Sequence, residues 1–245
     1  MPFLIREGAR LYYEEHGSGY PILMLAHGGM QSEIQRWHQK PPKWLDTEAG
    51  LIDRFRLVLM DQRNAGRSYA PITADVGWDS YADDQLGLLD HLQIEQCHVM
   101  GGCIGAPFAF KLFETAPGRF TSAVLYRPWG VFNNRNEIAE VFEVWAKEMR
   151  ARPEVDPDEL VRLYQRMFGG DFIFSVPPSA VQGSNVPLLI LGGEDKHHPR
   201  EISQEIARLA PDAELLWGWN EEATRAATMR RVKEFFLQHT PPAAA

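Results

Sequence analysis

Cys97-His98-Val99-Met100-Gly101-Gly102-Cys103-Ile104-Gly105-Ala106-Pro107-Phe108 is the stretch from which the rest of this 245-residue chain is read. The apolar run Cys97 to Met100 predicts a strand, and Ala106 to Phe113 predicts a helix. The five residues between them, Gly101 to Gly105, must form a sharp turn. That turn has the pattern G-x-S-x-G with a thiol, Cys103, where the hydroxyl stands. Small neighbours suit such a turn because side chains would collide across it and because its apex is strained. The helix that begins there points its positive end at Cys103, which favours thiolate over thiol.

Working outward, apolar runs alternate with helical patterns. Leu4 to Arg6 and Arg10 to Glu15 read as a hairpin around Gly8, closed by Gly17-Ser18-Gly19. Pro21 to Ala26 is a continuous apolar run ending in His27-Gly28-Gly29, and Phe55 to Met60 ends in Asp61-Gln62-Arg63-Asn64-Ala65-Gly66-Arg67-Ser68. Such runs suit strands covered on both faces. Further strands are predicted at Ser122–Tyr126, Pro187–Leu191 and Ala213–Trp217. Helices are predicted near Ser80–Leu92, Arg200–Leu209 and Glu222–Gln238, the last with Met229, Val232, Phe235 and Phe236 inward. This alternation implies an α/β fold with a mostly parallel sheet and helices on both faces. Ligands on such sheets bind beyond the carboxyl ends of the strands, where His27, Asp61, Cys103, Arg127 and Asp195 would gather.

Between Arg127 and Pro187 the alternation stops. Helices at about Asn133–Arg150 and Asp156–Phe168, followed by Gly169 to Phe174, suit a small helical cap at 128–186 over a core of 1–127 and 187–245. Its aromatic residues Trp129, Phe132, Trp145, Phe168, Phe172 and Phe174 either line an apolar pocket or pack the cap. A second long loop, Met30 to Gly50, holds Trp37, His38 and Trp44; long loops at that edge are more often functional than accidental.

The formal net charge of −8 argues against nucleic acid or an anionic membrane as partner. No apolar run approaches the ~20 residues of a membrane span, and the N-terminal residues lack a secretion pattern. The two cysteines, six residues apart on one predicted strand and turn, do not make a disulfide framework, so a reducing cytoplasm is the expectation. Thr240 to Ala245 should fray. No metal cluster, phosphate loop or dinucleotide fingerprint is visible, so no cofactor is expected.

Four ordered motifs make the chain similar to α/β-hydrolase-fold proteins over nearly its whole length. His27-Gly28-Gly29 resembles the H-G turn of the oxyanion hole. Asp61 to Ser68 resembles D-x-R-G-x-G-x-S, with Asn64 for the first glycine. Gly101 to Gly105 matches the nucleophile elbow, and Gly193-Glu194-Asp195 to Pro199 resembles the segment bearing the triad acid. The segments are more similar to the esterase, enol-lactonase and carbon–carbon-bond hydrolase group than to the dienelactone-hydrolase branch, whose Cys, His and Asp are matched in role only. One piece departs from the pattern. The family's histidine, in a G-H turn after the last strand, is replaced here by Trp217-Gly218-Trp219-Asn220-Glu221-Glu222.

The resemblance implies a hydrolase of a small-molecule ester, lactone or thioester. Cys103 would be its nucleophile and Asp195 its acid, and the N–H groups of Ile104 and Gly29 would be oxyanion donors. A nucleophile of this kind needs a base. His198, three residues after Asp195, is the first candidate. His197, its neighbour, is the second, and a preformed thiolate without any histidine is the third. His27, Gly28, Arg127 and Trp129 are candidate substrate-binding residues, Arg127 through a carboxylate or merely through an ion pair within the protein. Asp61 and Arg63 read as loop ties, and Glu221 and Glu222 as helix-start acids. Acyl transfer, a lyase step, or binding without catalysis are the rival readings, and oligomeric state stays open.

Overall fold

A computed structural model describes residues 2–38, 45–73 and 75–242. Eight strands form one sheet: β1 (Phe3–Arg6), β2 (Ala9–Gly17), β3 (Tyr20–Leu25), β4 (Phe55–Met60), β5 (Cys97–Gly102), β6 (Phe120–Tyr126), β7 (Leu188–Leu191) and β8 (Ala213–Leu216). Their spatial order is β1-β2-β4-β3-β5-β6-β7-β8. β3 through β8 run parallel, while β1 and β2 add an antiparallel edge. The crossovers are helical: α1 (Thr47–Leu51), α2 (Trp78–His91), α3 (Gly105–Thr115), α4 (Arg135–Met149), α5 (Pro157–Phe168), α6 (Pro178–Gln182), α7 (Arg200–Leu209) and α8 (Arg225–Gln238). This is the α/β-hydrolase fold that the motifs imply.

Strand residues alternate between faces, and the sheet therefore feeds two cores. Leu23, Leu25, Val58 and Val99 pack with residues of α2, α3 and α7. Ile22, Met24, Leu57 and Leu59 pack with Leu51 of α1 and with Val232, Phe235 and Phe236 of α8. In α8, Met229 is only half-buried. Burial on both faces explains why β3, β4 and β5 read as apolar runs interrupted only by Arg56 and His98.

The segment between β6 and β7 supplies α4, α5 and α6. Its aromatic residues mostly pack one another. Phe142 of α4 lies edge-on to Tyr164 and Phe168 of α5, and Phe168 lies edge-on to Phe174. Trp145 is buried and donates to the Asn64 carbonyl oxygen. Phe132, by contrast, is exposed. Of the aromatic set expected to line a pocket, Trp129 is the member that reaches the cavity described below.

The Met30–Gly50 loop holds two 3-10 turns, Gly29–Gln31 and Ile34–Arg36, before α1. Trp44 lies outside the described residues, as does the end of the tail, 243–245. Thr240 is not frayed: its hydroxyl donates to the Phe236 carbonyl oxygen and lies 3.0 Å from His98 Nε2. No helix among the described residues is long and apolar enough to cross a membrane.

Candidate active site

Cys103 stands at the apex between β5 and α3 with φ 55°, in the left-handed region that non-glycine residues rarely adopt. Its amide donates to the Tyr126 carbonyl oxygen at 3.0 Å, and its own carbonyl accepts from the Trp129 amide at 3.2 Å. The flanking glycines are steric necessities. A Cβ at Gly101 would lie 2.6 Å from the Gly105 carbonyl oxygen, and one at Gly105 would lie 2.4 Å from that of Leu25. The elbow is thus wedged against its own helix and the neighbouring strand.

The loop after β7 brings Asp195 and His198 to the same edge. Asp195 Oδ1 accepts three hydrogen bonds: from the amides of His197 and His198 at 2.9 and 3.0 Å, and from His198 Nδ1 at 2.9 Å. Carboxylate and imidazole are thereby fixed within one turn. Gly193 permits this, because a Cβ there would lie 2.6 Å from that of His198. Pro199 caps the start of α7 immediately afterwards. His198 is 8% exposed, and its Nε2 is buried with no hydrogen bond among the described residues.

The sulfur nonetheless feels this ring. Burial works against the Cys103 thiolate, but the charge and hydrogen-bonding reach of His198, with the amides of Gly28 and Ile104, outweigh it and lower the thiol pKa. Of the His27-Gly28-Gly29 turn, the amide that bears on the sulfur is that of Gly28. Gly29, named from sequence as the donor, lines the same cavity with φ 58°. Cys97, fully buried in β5, has its thiol pushed up to about 12 by burial. The two cysteines are free.

Arg127 follows β6 with φ 48°, and its Nη2 pairs with Asp195 Oδ2. Of the two roles expected of Arg127, a substrate carboxylate or an ion pair within the protein, the ion pair is present, with the loop carboxylate. Burial draws the guanidinium pKa below the ordinary value, partly offset by the charges of Cys103 and Tyr126. Sequence reasoning missed Tyr126. Burial first, and the neighbouring Cys103 second, raise its phenol well above the usual range, and its hydroxyl lies 3.0 Å from His27 Nδ1. The absence of any side chain at Gly102 makes room for its ring; the Gly102-Cys103 pairing with a strand-end tyrosine was the signal available. Arg36 was missed as well.

These residues enclose a cavity of about 270 Å³ lined by His27, Gly28, Gly29, Gln31, Arg36, Cys103, Tyr126, Arg127, Trp129, Val141, His197 and His198. His197 reaches it, though its pKa is lowered by burial, by His198 and by Lys196, and its Nδ1 has no hydrogen bond among the described residues. Val141 of α4 covers Gly29 so closely that a Cβ there would meet it at 2.6 Å.

The Trp217–Glu222 stretch after β8, where the resemblance would put a histidine, holds Trp219. Trp219 is buried, donates to the Gly192 carbonyl oxygen at 2.8 Å, and lies edge-on to Tyr126. Asp61 and Arg63 tie loops as read: Asp61 accepts from the amides of Ile34 and Arg67, and Arg63 pairs with Asp84. The Glu221 carbonyl oxygen accepts from the amides of Thr224 and Arg225 at the start of α8, while Glu222 is exposed.

An eight-stranded sheet with a strained apex residue after β5, a glycine turn after β3 and an acid loop after β7 defines a class. A family model described as the alpha/beta hydrolase fold matches residues 21–167, and this chain belongs to that family. A proline iminopeptidase of Xylella fastidiosa is 30% identical over 184 residues, covering 68% of this chain and 54% of that protein. The chain thus spans about half the length of the curated relatives it matches first. Among solved structures, a meta-cleavage product hydrolase of Pseudomonas fluorescens IP01 shares the fold with a TM-score of 0.74 at 20% identity, covering 98% of both chains. An esterase of Rhodococcus sp. ECU1013 does so with a TM-score of 0.66 at 18% identity, covering 97% of this chain and 98% of that one.

Proposed function

We infer that this chain hydrolyses an ester, lactone or thioester of a small molecule through an acyl-cysteine intermediate. The observation that carries the reading is the imidazole of His198. It is held through Nδ1 by Asp195, and it lowers the pKa of a sulfur set on a strained turn. The family's usual histidine is absent, yet a base, an acid and a nucleophile still converge.

In the first half-reaction Sγ of Cys103 attacks the carbonyl carbon. The S–C bond forms as the bond to the leaving oxygen or sulfur breaks, and the thiol proton passes through His198 Nε2 to the leaving group. In the second half, water gives a proton to Nε2 and attacks the thioester carbon, and the S–C bond breaks. Asp195 keeps the Nε2 face of the ring toward the sulfur. Arg127 anchors the other oxygen of that carboxylate. The N–H groups of Ile104 and of the Gly28–Gly29 turn receive the negative charge that develops on the carbonyl oxygen. The helical segment 128–186, through Trp129 and Val141, closes the cavity against water.

The test is intact-mass spectrometry after brief exposure to a panel of activated esters and lactones. An acyl adduct on Cys103 that builds up in His198→Gln, where the second half-reaction stalls, supports the reading. A Cys103→Ala protein that turns over substrate as fast as the parent ends it.

A further inference from the structure

The cavity in front of Cys103 is lined in part by basic side chains. Among the described residues that line it are two guanidinium groups, Arg36 and Arg127, and no carboxylate. Arg127 is committed to Asp195. Arg36 is held more loosely. Its Nε lies 3.4 Å from the Gln31 carbonyl oxygen, and Nη2 donates to Gln31 Oε1 at 3.1 Å. The nearest carboxylate oxygen, on Glu33, is 3.6 Å from Nε, and Nη1 makes no hydrogen bond among the described residues.

Arg36 also lies against the turn whose amide faces the sulfur. A Cβ on Gly28 would be 3.0 Å from Arg36 Nε, and the Gly28 amide favours the Cys103 thiolate. Behind Arg36 is a second chamber of about 10 Å³, whose lining includes His27, Trp37, Thr47 and Tyr126. Trp37 Nε1, which can only donate, and Thr47 Oγ1 are buried on this side with no hydrogen-bond partner among the described residues. A space of that size holds one water. Unpartnered polar groups thus stand behind the Arg36 guanidinium. A planar fork with spare N–H groups beside the reacting centre matches a carboxylate. Its positive charge also favours an anion over a neutral group in this cavity, against the chain's overall net charge of −8.

We propose that the cavity selects an acyl substrate bearing a second, free carboxylate, which Arg36 binds beside the oxyanion turn. This deepens the reading of Cys103 as acyl acceptor and rests on it for the chemistry, but the recognition is measurable without any reaction. The probes are monoethyl succinate, the neutral near-isostere ethyl levulinate, and the cationic ethyl ester of β-alanine. Each is titrated calorimetrically into the Cys103→Ala protein. Monoethyl succinate binds tighter than the other two by about tenfold or more, the scale of one charge-assisted hydrogen-bonded contact. That preference shrinks as salt is raised, survives in part in Arg36→Lys, and collapses in Arg36→Gln.

Equal binding of the three probes overturns the proposal, as does a preference left intact in Arg36→Gln. If thermal melting shows Arg36→Gln misfolded, the probe comparison and Arg36→Lys decide between the same two outcomes. Failure of the underlying reading looks different. Activated esters would then leave Cys103 of the unaltered chain without an adduct, whatever the calorimetry shows.

Discussion

Arg127 Nη2 and His198 Nδ1 share one carboxylate, the first on Oδ2 of Asp195 and the second on Oδ1. An acid that only His198 held could rotate about its own side-chain bond. Gripped from two sides and further bonded by the amides of His197 and His198, its carboxylate has one orientation, and so does the ring.

Arg127→Gln therefore acts on turnover more than on substrate binding. We expect kcat to fall by about 10- to 100-fold, the loss of one hydrogen bond to a charged group, while KM changes little. A rise in KM with kcat preserved would show instead that Arg127 contacts the substrate directly.

The thiol pKa of Cys103 is lowered despite burial, with His198 the leading cause that opposes burial. Because the thiolate is the form that alkylates, a lowered pKa carries reactivity to lower pH. Iodoacetamide labelling followed against pH should have its midpoint below that of a free thiol, and His198→Gln should raise that midpoint. Cys97, whose thiol sits near 12, should not label in the folded protein. A Cys103 midpoint at or above the free-thiol value would remove the imidazole from the argument.

His98 predicts an acid sensitivity remote from the site. It is fully buried, with Nδ1 2.8 Å from the hydroxyls of Thr121 and Ser122. Burial first, with His239 as a second cause, brings its pKa down to about 3. The unfolded chain takes up this proton near pH 6.5 and the folded chain does not until about pH 3. The stability linked to this group is thus complete above about pH 6.5. Between there and about pH 3 it falls by about 1.4 kcal/mol per pH unit. Urea midpoints at pH 7 and pH 4.5 measure it, and His98→Gln should show a shallower slope. An unchanged slope would assign the acid sensitivity to other groups.

Gly105→Ala tests the wedge beneath the elbow. The added methyl meets a backbone oxygen, that of Leu25, and a strand cannot yield as a flexible side chain can. We expect about 1–3 kcal/mol of destabilisation in urea unfolding, with Cys103 labelling disturbed as well. Gly183→Ala, where a Cβ would lie 3.4 Å or more from any neighbour, is the control and should cost far less.

The strands and the elbow were legible because burial on both faces leaves apolar runs and because the turn needs small residues at fixed spacing. That Cys103, Asp195 and His198 gather at one sheet edge was expected from the order of the motifs, while the choice between His198 and His197 was not. What was not legible depends on directions that no local pattern encodes. Arg127 lies just past a strand end in the sequence, and whether its fork meets a ligand or Asp195 is decided by the loop after β7. Tyr126 reads as an ordinary strand aromatic until Gly102 opens space for its ring. Arg36 belongs to an irregular loop without periodicity, and only the fold brings it beside Gly28. Short helices such as α1 and α6 gave too little pattern to separate from loop.

Asp195 and His198 are three residues apart in sequence and one hydrogen bond apart in space, on a loop bounded by Gly192-Gly193 and by Pro199. Where acid and imidazole come from separate segments, two hinges must be set correctly. Here a single hinge carries both as one rigid piece. Any drift of the loop leaves their mutual geometry intact and alters only the gap to the sulfur. On the proposed reading that gap becomes the adjustable coordinate of the centre, while Trp219 in the stretch after β8 packs against Tyr126.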